Sequence, residues 1–174
     1  MTLPIYPAGP GSGLPALRQG RIDGPADFAA VIRLAFSTAA EQGWREIIMS
    51  DASFESWPLG ERAVAQSLND WAKTGRTLTI LARNYDALIR RHARFVTWRR
   101  TWSHLVTCRA NSSVSEDDFP SALWSPVWCC HKLDLVRSTA VADFDVGRRV
   151  AIRERLDECL RRSAPAFPAT TLGL

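Results

Sequence analysis

Apolar positions at helical spacing first appear in Phe28, Ile32, Ala35, Phe36 and Ala39, which predicts a helix from about Pro25 to Gln42. Pro25 suits a first helical turn, and Gly43 ends the element. A strand follows over 45–50, centred on Ile47 and Ile48. A second helix, from about Leu59 to Thr74, turns Val64, Leu68, Trp71 and Ala72 inward and stops at Gly75. The β-branched run Thr77-Leu78-Thr79-Ile80-Leu81 reads as a strand. Asn84 then caps a helix running through Asp86 to about Arg100, and His104-Leu105-Val106-Thr107-Cys108 is strand-like again. After a polar, acidic loop over 111–118, short strands are predicted at 122–124, 127–133 and 136–142. A last helix, N-capped by Asp145, runs to Arg162 with Val146, Val150, Leu156 and Leu160 as its apolar stripe.

Helices alternating with strands predict an α/β fold: a mainly parallel or mixed sheet, covered by helices on both faces, with right-handed crossovers. The punctuation divides the chain into a flexible Pro/Gly-rich arm (1–24), one α/β domain (25–165) and a C-terminal tail (166–174). At 174 residues the domain can bury a core without metal or disulfide staples. All seven tryptophans fall between Trp44 and Trp128, inside the expected fold.

Charge is concentrated at one place. The net charge of +4 permits anionic partners without demanding them. Between Arg83 and Arg109, however, seven arginines face a single acid, Asp86. On a helical wheel Arg90, Arg94 and Arg100 lie outside the apolar arc formed by Tyr85, Leu88, Ile89, Phe95, Val96 and Trp102, with Arg91 at its border. Arginines interleaved with Trp98 and Trp102 resemble a nucleic-acid surface, although Trp102 lies on the core side, which weakens base stacking. His92 and Arg99 fall inside the arc, so each requires a partner, an acid or a main-chain carbonyl.

Ligands of open α/β sheets sit beyond the carboxyl ends of the strands. Two such ends carry polar residues: Ser50-Asp51, and Arg83-Asn84-Tyr85. Asp51, Arg83, Asn84 and Tyr85 are therefore the candidate anion pocket, with Arg90, Arg94 and Arg100 as its positive rim. The competing reading of the first four is an ion pair with helix caps. His104, Cys108, Cys129 and His131 form a weaker soft-metal candidate, conditional on their two strands being adjacent. No Cys-x-x-Cys, P-loop, Gly-x-Gly-x-x-Gly or nucleophile elbow is present, so no metal or cofactor is expected. The four cysteines read as reduced and buried, and no stretch has the start of a signal peptide or the length of a membrane span; the expected location is the cytoplasm.

The order of elements, with the closing run Thr139-Ala140-Val141-Ala142-Asp143-Phe144-Asp145 through Arg162-Ser163-Ala164-Pro165, resembles a phospholipase-D-like domain. It is most similar to small bacterial members of that group, some of them fused behind acetyltransferase domains. The resemblance implies a phospholipase-D-like half. Enzymes of the group carry His-x-Lys-x4-Asp, in which His attacks phosphorus and Lys binds the phosphoryl oxygens. Here His131 and Lys132 are adjacent, Leu133 stands where the Lys would, and Ala140 to Phe144 replace the downstream Gly-Ser pair. Adjacent residues on a strand face opposite ways, so the resemblance implies the fold without the catalytic signature.

The sequence thus leads to a non-catalytic binding or interaction module for phosphate-containing ligands or nucleic acid. A second copy or another protein is the further expected partner, because phospholipase-D-like folds usually work as two halves. The alternative is a phosphodiesterase or nuclease with a relocated site built from His92, His104 or His131, which requires those histidines to share one cleft.

Overall fold

One mixed eight-stranded sheet carries the elements of the computed structural model, which describes residues 13–169. The chain runs β1 (Gly20–Ile22), α1 (Pro25–Gln42), β2 (Glu46–Ser50), α2 (Arg62–Ala72), β3 (Thr77–Ala82), α3 (Asp86–Arg91), α4 (Ala93–Thr101), β4 (Val106–Ala110), β5 (Ala122–Trp124), β6 (Cys129–Asp134), β7 (Thr139–Asp143), α5 (Val146–Arg161) and β8 (Ala164–Pro165). The strand order is β1-β7-β6-β5-β2-β3-β4-β8. Strands β2, β3 and β4 pair in parallel, as two helical crossovers require, and every other pairing is antiparallel. The α/β reading of the sequence holds, with the mixed sheet of its two options.

The two faces are unequal. Period-2 alternation sends Ile47 and Met49 of β2 and Leu78, Ile80 and Ala82 of β3 into the main core, where α1 to α4 cover them. The opposite face keeps Ile48, Trp124 and Cys129 under Ile152 and Leu156 of α5. Trp71 anchors the larger core by donating its indole N–H to the Trp44 carbonyl at 2.7 Å. Gly75 is required beside it: a Cβ there would lie 2.4 Å from the Trp71 ring. Gly43 ends α1 in the left-handed region at φ 64°, as its position predicts.

Three expectations change. Part of the N-terminal arm is ordered, since Gly20–Ile22 adds β1 antiparallel to β7 and Leu17 is buried; residues 1–12 lie outside the described residues. The arginine-bearing helix is two helices. It breaks at His92 (φ −120°, ψ 58°), whose Nε2 lies 2.8 Å from the Phe54 carbonyl oxygen in the preceding loop. Against the single-helix wheel, Ile89 of α3 is exposed and Trp98 of α4 is buried. In α5, Asp145 caps as expected, accepting from the Arg148 N–H, but the apolar stripe is Ile152, Leu156 and Cys159. Val146 and Val150 are exposed because only the later turns of α5 lie over the sheet. Among the described residues no helix is long and apolar enough to cross a membrane.

Candidate functional site

The chain leaving β2 turns sharply at Asp51, and that turn shapes a cleft at the carboxyl end of the strand. Asp51 Oδ2 accepts the N–H groups of Ser53 and Phe54, at 3.2 and 2.7 Å, while Oδ1 accepts the Ser121 hydroxyl at 2.6 Å. Phe54 is forced to φ 57°, in the left-handed region that a bulky residue rarely adopts. Asp51 holds its N–H, His92 meets its carbonyl, and its ring packs edge-on against Trp57, so the loop is fixed from three sides.

The cleft so formed has a volume of about 320 Å³ and is lined by Asp51, Ser53, Ser56 and Lys132, with Glu55, Glu116 and Asp117 among its acids. Lys132 is buried on the α1 side of β6. Its Nζ donates to the Ser56 hydroxyl at 3.0 Å and lies 4.4 Å from the centroid of the Phe28 ring. Burial pushes its ammonium below the ordinary lysine range, opposed by the charge of Asp51 and by Cys130. Four carboxylates against one lysine make this cleft a poor host for a polyanion.

The four strand-end candidates are not gathered into one pocket. Asp51 lines the cleft, but its oxygens are taken by the loop and Ser121. Arg83 donates to the Val114 carbonyl at 3.1 Å, and the Asn84 side chain accepts the Asp86 N–H at 3.3 Å in a turn ahead of α3, whose N-cap is Tyr85 rather than the expected Asn84. Tyr85 points inward, where its hydroxyl meets the carbonyls of Ile80 and Arg109 at 3.1 and 2.8 Å. Burial raises its pKa above the ordinary tyrosine value. No ion pair joins Asp51 to Arg83 among the described residues, so the ion-pair reading of these positions is not what forms either.

The three rim arginines are placed differently. Arg90, Arg94 and Arg100 are all exposed on α3 and α4. Arg94 donates to the Gly60 carbonyl at 2.9 Å, and none of the three makes an ion pair among the described residues. Arg91, at the border of the arc, is paired with Glu55 of the cleft loop at 2.7 Å. Of the tryptophans beside them, Trp98 is buried, and Trp102 is half-buried with its indole N–H donated to Asn69.

The histidines are dispersed. His92 sits at the α3/α4 junction against the loop, His104 is exposed ahead of β4, and His131 lies on the α5 side of β6. Burial, with Arg148 and Arg155, lowers the His131 pKa. A shared histidine site is therefore not formed. The soft-metal candidate also fails, because β4 and β6 are separated by three strands and Cys108 and Cys129 face opposite sides of the sheet. Lys132, Ser56 and Ser121 were not legible as site residues. The one available signal is a lysine sharing a strand face with Cys130 inside an otherwise apolar run.

No protein-family model matches the chain, and no curated protein matches it. Among solved structures it is similar to TrmBL2, an archaeal chromatin protein whose structure is described as showing a novel mode of DNA binding. The TM-score is 0.61 at 13% identity, over 87% of this chain and 54% of that one, so this chain spans about half of the protein it matches. A likeness at that identity shows the fold.

Proposed function

We propose that the domain is a non-catalytic, phospholipase-D-like half that binds nucleic acid or a similar phosphate polymer through the outer face of α3 and α4. The observation that carries this reading is the exposure of Arg90, Arg94 and Arg100 without a carboxylate on any of them. An exposed guanidinium with no internal partner keeps its donors for phosphate oxygens. With Trp98 buried and Trp102 half-buried and tied to Asn69, contact is mainly to the backbone rather than to stacked bases, which gives affinity with little sequence preference. The resemblance in fold to a chromatin protein described as binding DNA supports the same reading. A half of this kind pairs with a second copy, which doubles the arginine set. The dispersal of His92, His104 and His131 disfavours the phosphodiesterase alternative.

The test is a titration of the chain with duplex DNA, followed by tryptophan fluorescence, between about 50 and 200 mM salt. Three phosphate contacts predict a slope of log K against log salt of roughly −2.7 for each copy bound. The triple variant Arg90→Ala/Arg94→Ala/Arg100→Ala should lose most of that slope and of the affinity. Binding that is equally tight and equally salt-dependent in the variant removes this face from the reading.

A further inference from the structure

A second cation, Arg99, is buried with no carboxylate beside it among the described residues. It lies on the inner face of α4 at 6% exposure, between the helix and β4. Its Nη2 donates to the Phe167 carbonyl at a long 3.3 Å, and its guanidinium carbon stands 5.8 Å from the centroid of the Phe167 ring. Nε and Nη1 are buried with no acceptor, and no carboxylate lies within ion-pair distance among the described residues. The polar side chains beside it supply no negative charge. Burial pushes the Cys108 thiol up to about 11, and the Tyr85 hydroxyl is engaged with carbonyls. An arginine cannot shed its proton, so it calls for a counter-charge that the described residues do not supply.

Arg99 also lines a cleft of about 430 Å³, with Val106, Cys108, Pro165, Ala166 and Pro168 as its mainly apolar walls. The outer wall is a strap held by few bonds. Strand β8 is two exposed residues long, and Ala166 donates one backbone bond to the Cys108 carbonyl at 3.0 Å. Phe167 closes the strap by stacking on Tyr85, with centroids 5.3 Å apart, but does so at φ 43°, a costly backbone conformation for an aromatic residue.

From this cleft we infer that Arg99 is the anchor of a binding site for a small organic carboxylate with an apolar body. The carboxylate supplies the acceptor and the charge that the guanidinium lacks, and the Val106, Cys108 and proline walls take the hydrocarbon. A phosphate polymer is a poor fit, because the walls are mainly apolar and Arg99 is their one charged residue. The site is independent of the outer arginine face.

The test uses the whole chain with benzoate and butyrate as probes, benzamide as the neutral counterpart of benzoate, and sodium chloride at matched ionic strength. Thermal unfolding and Trp98 fluorescence are the readouts. Benzoate at ten times its Kd should raise Tm by about 4 °C, and benzamide and chloride should not. Arg99→Met, which keeps the stem and removes the charge, should melt at or above the parent and lose the benzoate response. Arg99→Lys should retain a weakened response, and the Arg90/Arg94/Arg100 triple variant should respond like the parent. The inference is overturned by no saturable response to either carboxylate, by an equal response to benzamide, or by a response that survives in Arg99→Met. It is also overturned if Arg99→Met unfolds at a much lower temperature than the parent without ligand, which would make the arginine structural.

Discussion

The loop after β2 and the outer surface of α3 and α4 touch at the Arg91–Glu55 ion pair, yet they use charge in opposite ways. In the loop, buried charge is bound internally: Asp51 holds two backbone N–H groups and Ser121, and Lys132 holds Ser56. On the helices, Arg90 and Arg100 hold nothing among the described residues and Arg94 holds one carbonyl. The first arrangement fixes a strained segment in place. The second contributes almost nothing to the fold, and under the proposed function its donors serve a partner. Charges at one end of the sheet thus differ in whether the fold supplies their counterparts.

Substitutions can break this contrast, starting with its strongest term. Asp51→Ala removes three hydrogen bonds to a buried carboxylate and releases Phe54 from its left-handed conformation. It should cost about 3 kcal/mol in urea unfolding. A loss below about 1 kcal/mol would mean that the loop holds itself without Asp51. His92→Ala leaves the Phe54 carbonyl without its partner and should cost about 2 kcal/mol by the same measurement. It should also shift the α3/α4 break, which amide hydrogen exchange over 86–101 would detect.

Titration sharpens the contrast further. The unfolded chain protonates His131 near its ordinary 6.5, whereas burial and two arginines hold the folded value lower. Stability should therefore fall as pH drops below 6.5. On the alkaline side, burial raises Cys108 to about 11 and Cys129 and Cys130 to about 12, from 9.0. Above pH 9 the unfolded chain loses protons that the folded chain keeps, so stability falls as pH rises. Lys132 acts in the other direction there, since its folded value lies below 10.5, but it is one amine against four thiols, Cys159 included, and the Tyr85 phenol. Urea unfolding followed from pH 5 to pH 11 should give a plateau between about 6.5 and 9. Stability that keeps rising above pH 9 would place the thiols in water. The smallest expected effect closes the series: Arg90→Ala, Arg94→Ala and Arg100→Ala should each change stability by no more than about 0.5 kcal/mol, while together they abolish most polyanion binding.

Much of the fold was legible because its signals are local. The periodicity of Phe28 to Ala39, the stop at Gly43, the β-branched run from Thr77 and the cap at Asp145 each depend on neighbours a few residues away. Helical phase placed His92 and Arg99 inward and Arg90, Arg94 and Arg100 outward, as observed, but it also placed Ile89 inward, where it is exposed. The sequence did not contain the break at His92, which depends on the Phe54 carbonyl 38 residues earlier. Nor did it show that α5 covers the sheet with its later turns, or that Gly20 to Ile22 finds an edge beside β7. The candidate site was the least legible part. Asp51, Ser121 and Lys132 meet only because β5 and β6 fold back beside β2, and spacing along the chain carries no record of that. The same holds for Arg99. Sequence pattern places a charge inside, but only the tertiary structure shows whether the chain has brought anything to neutralise it, because that depends on which distant segment packs against the guanidinium.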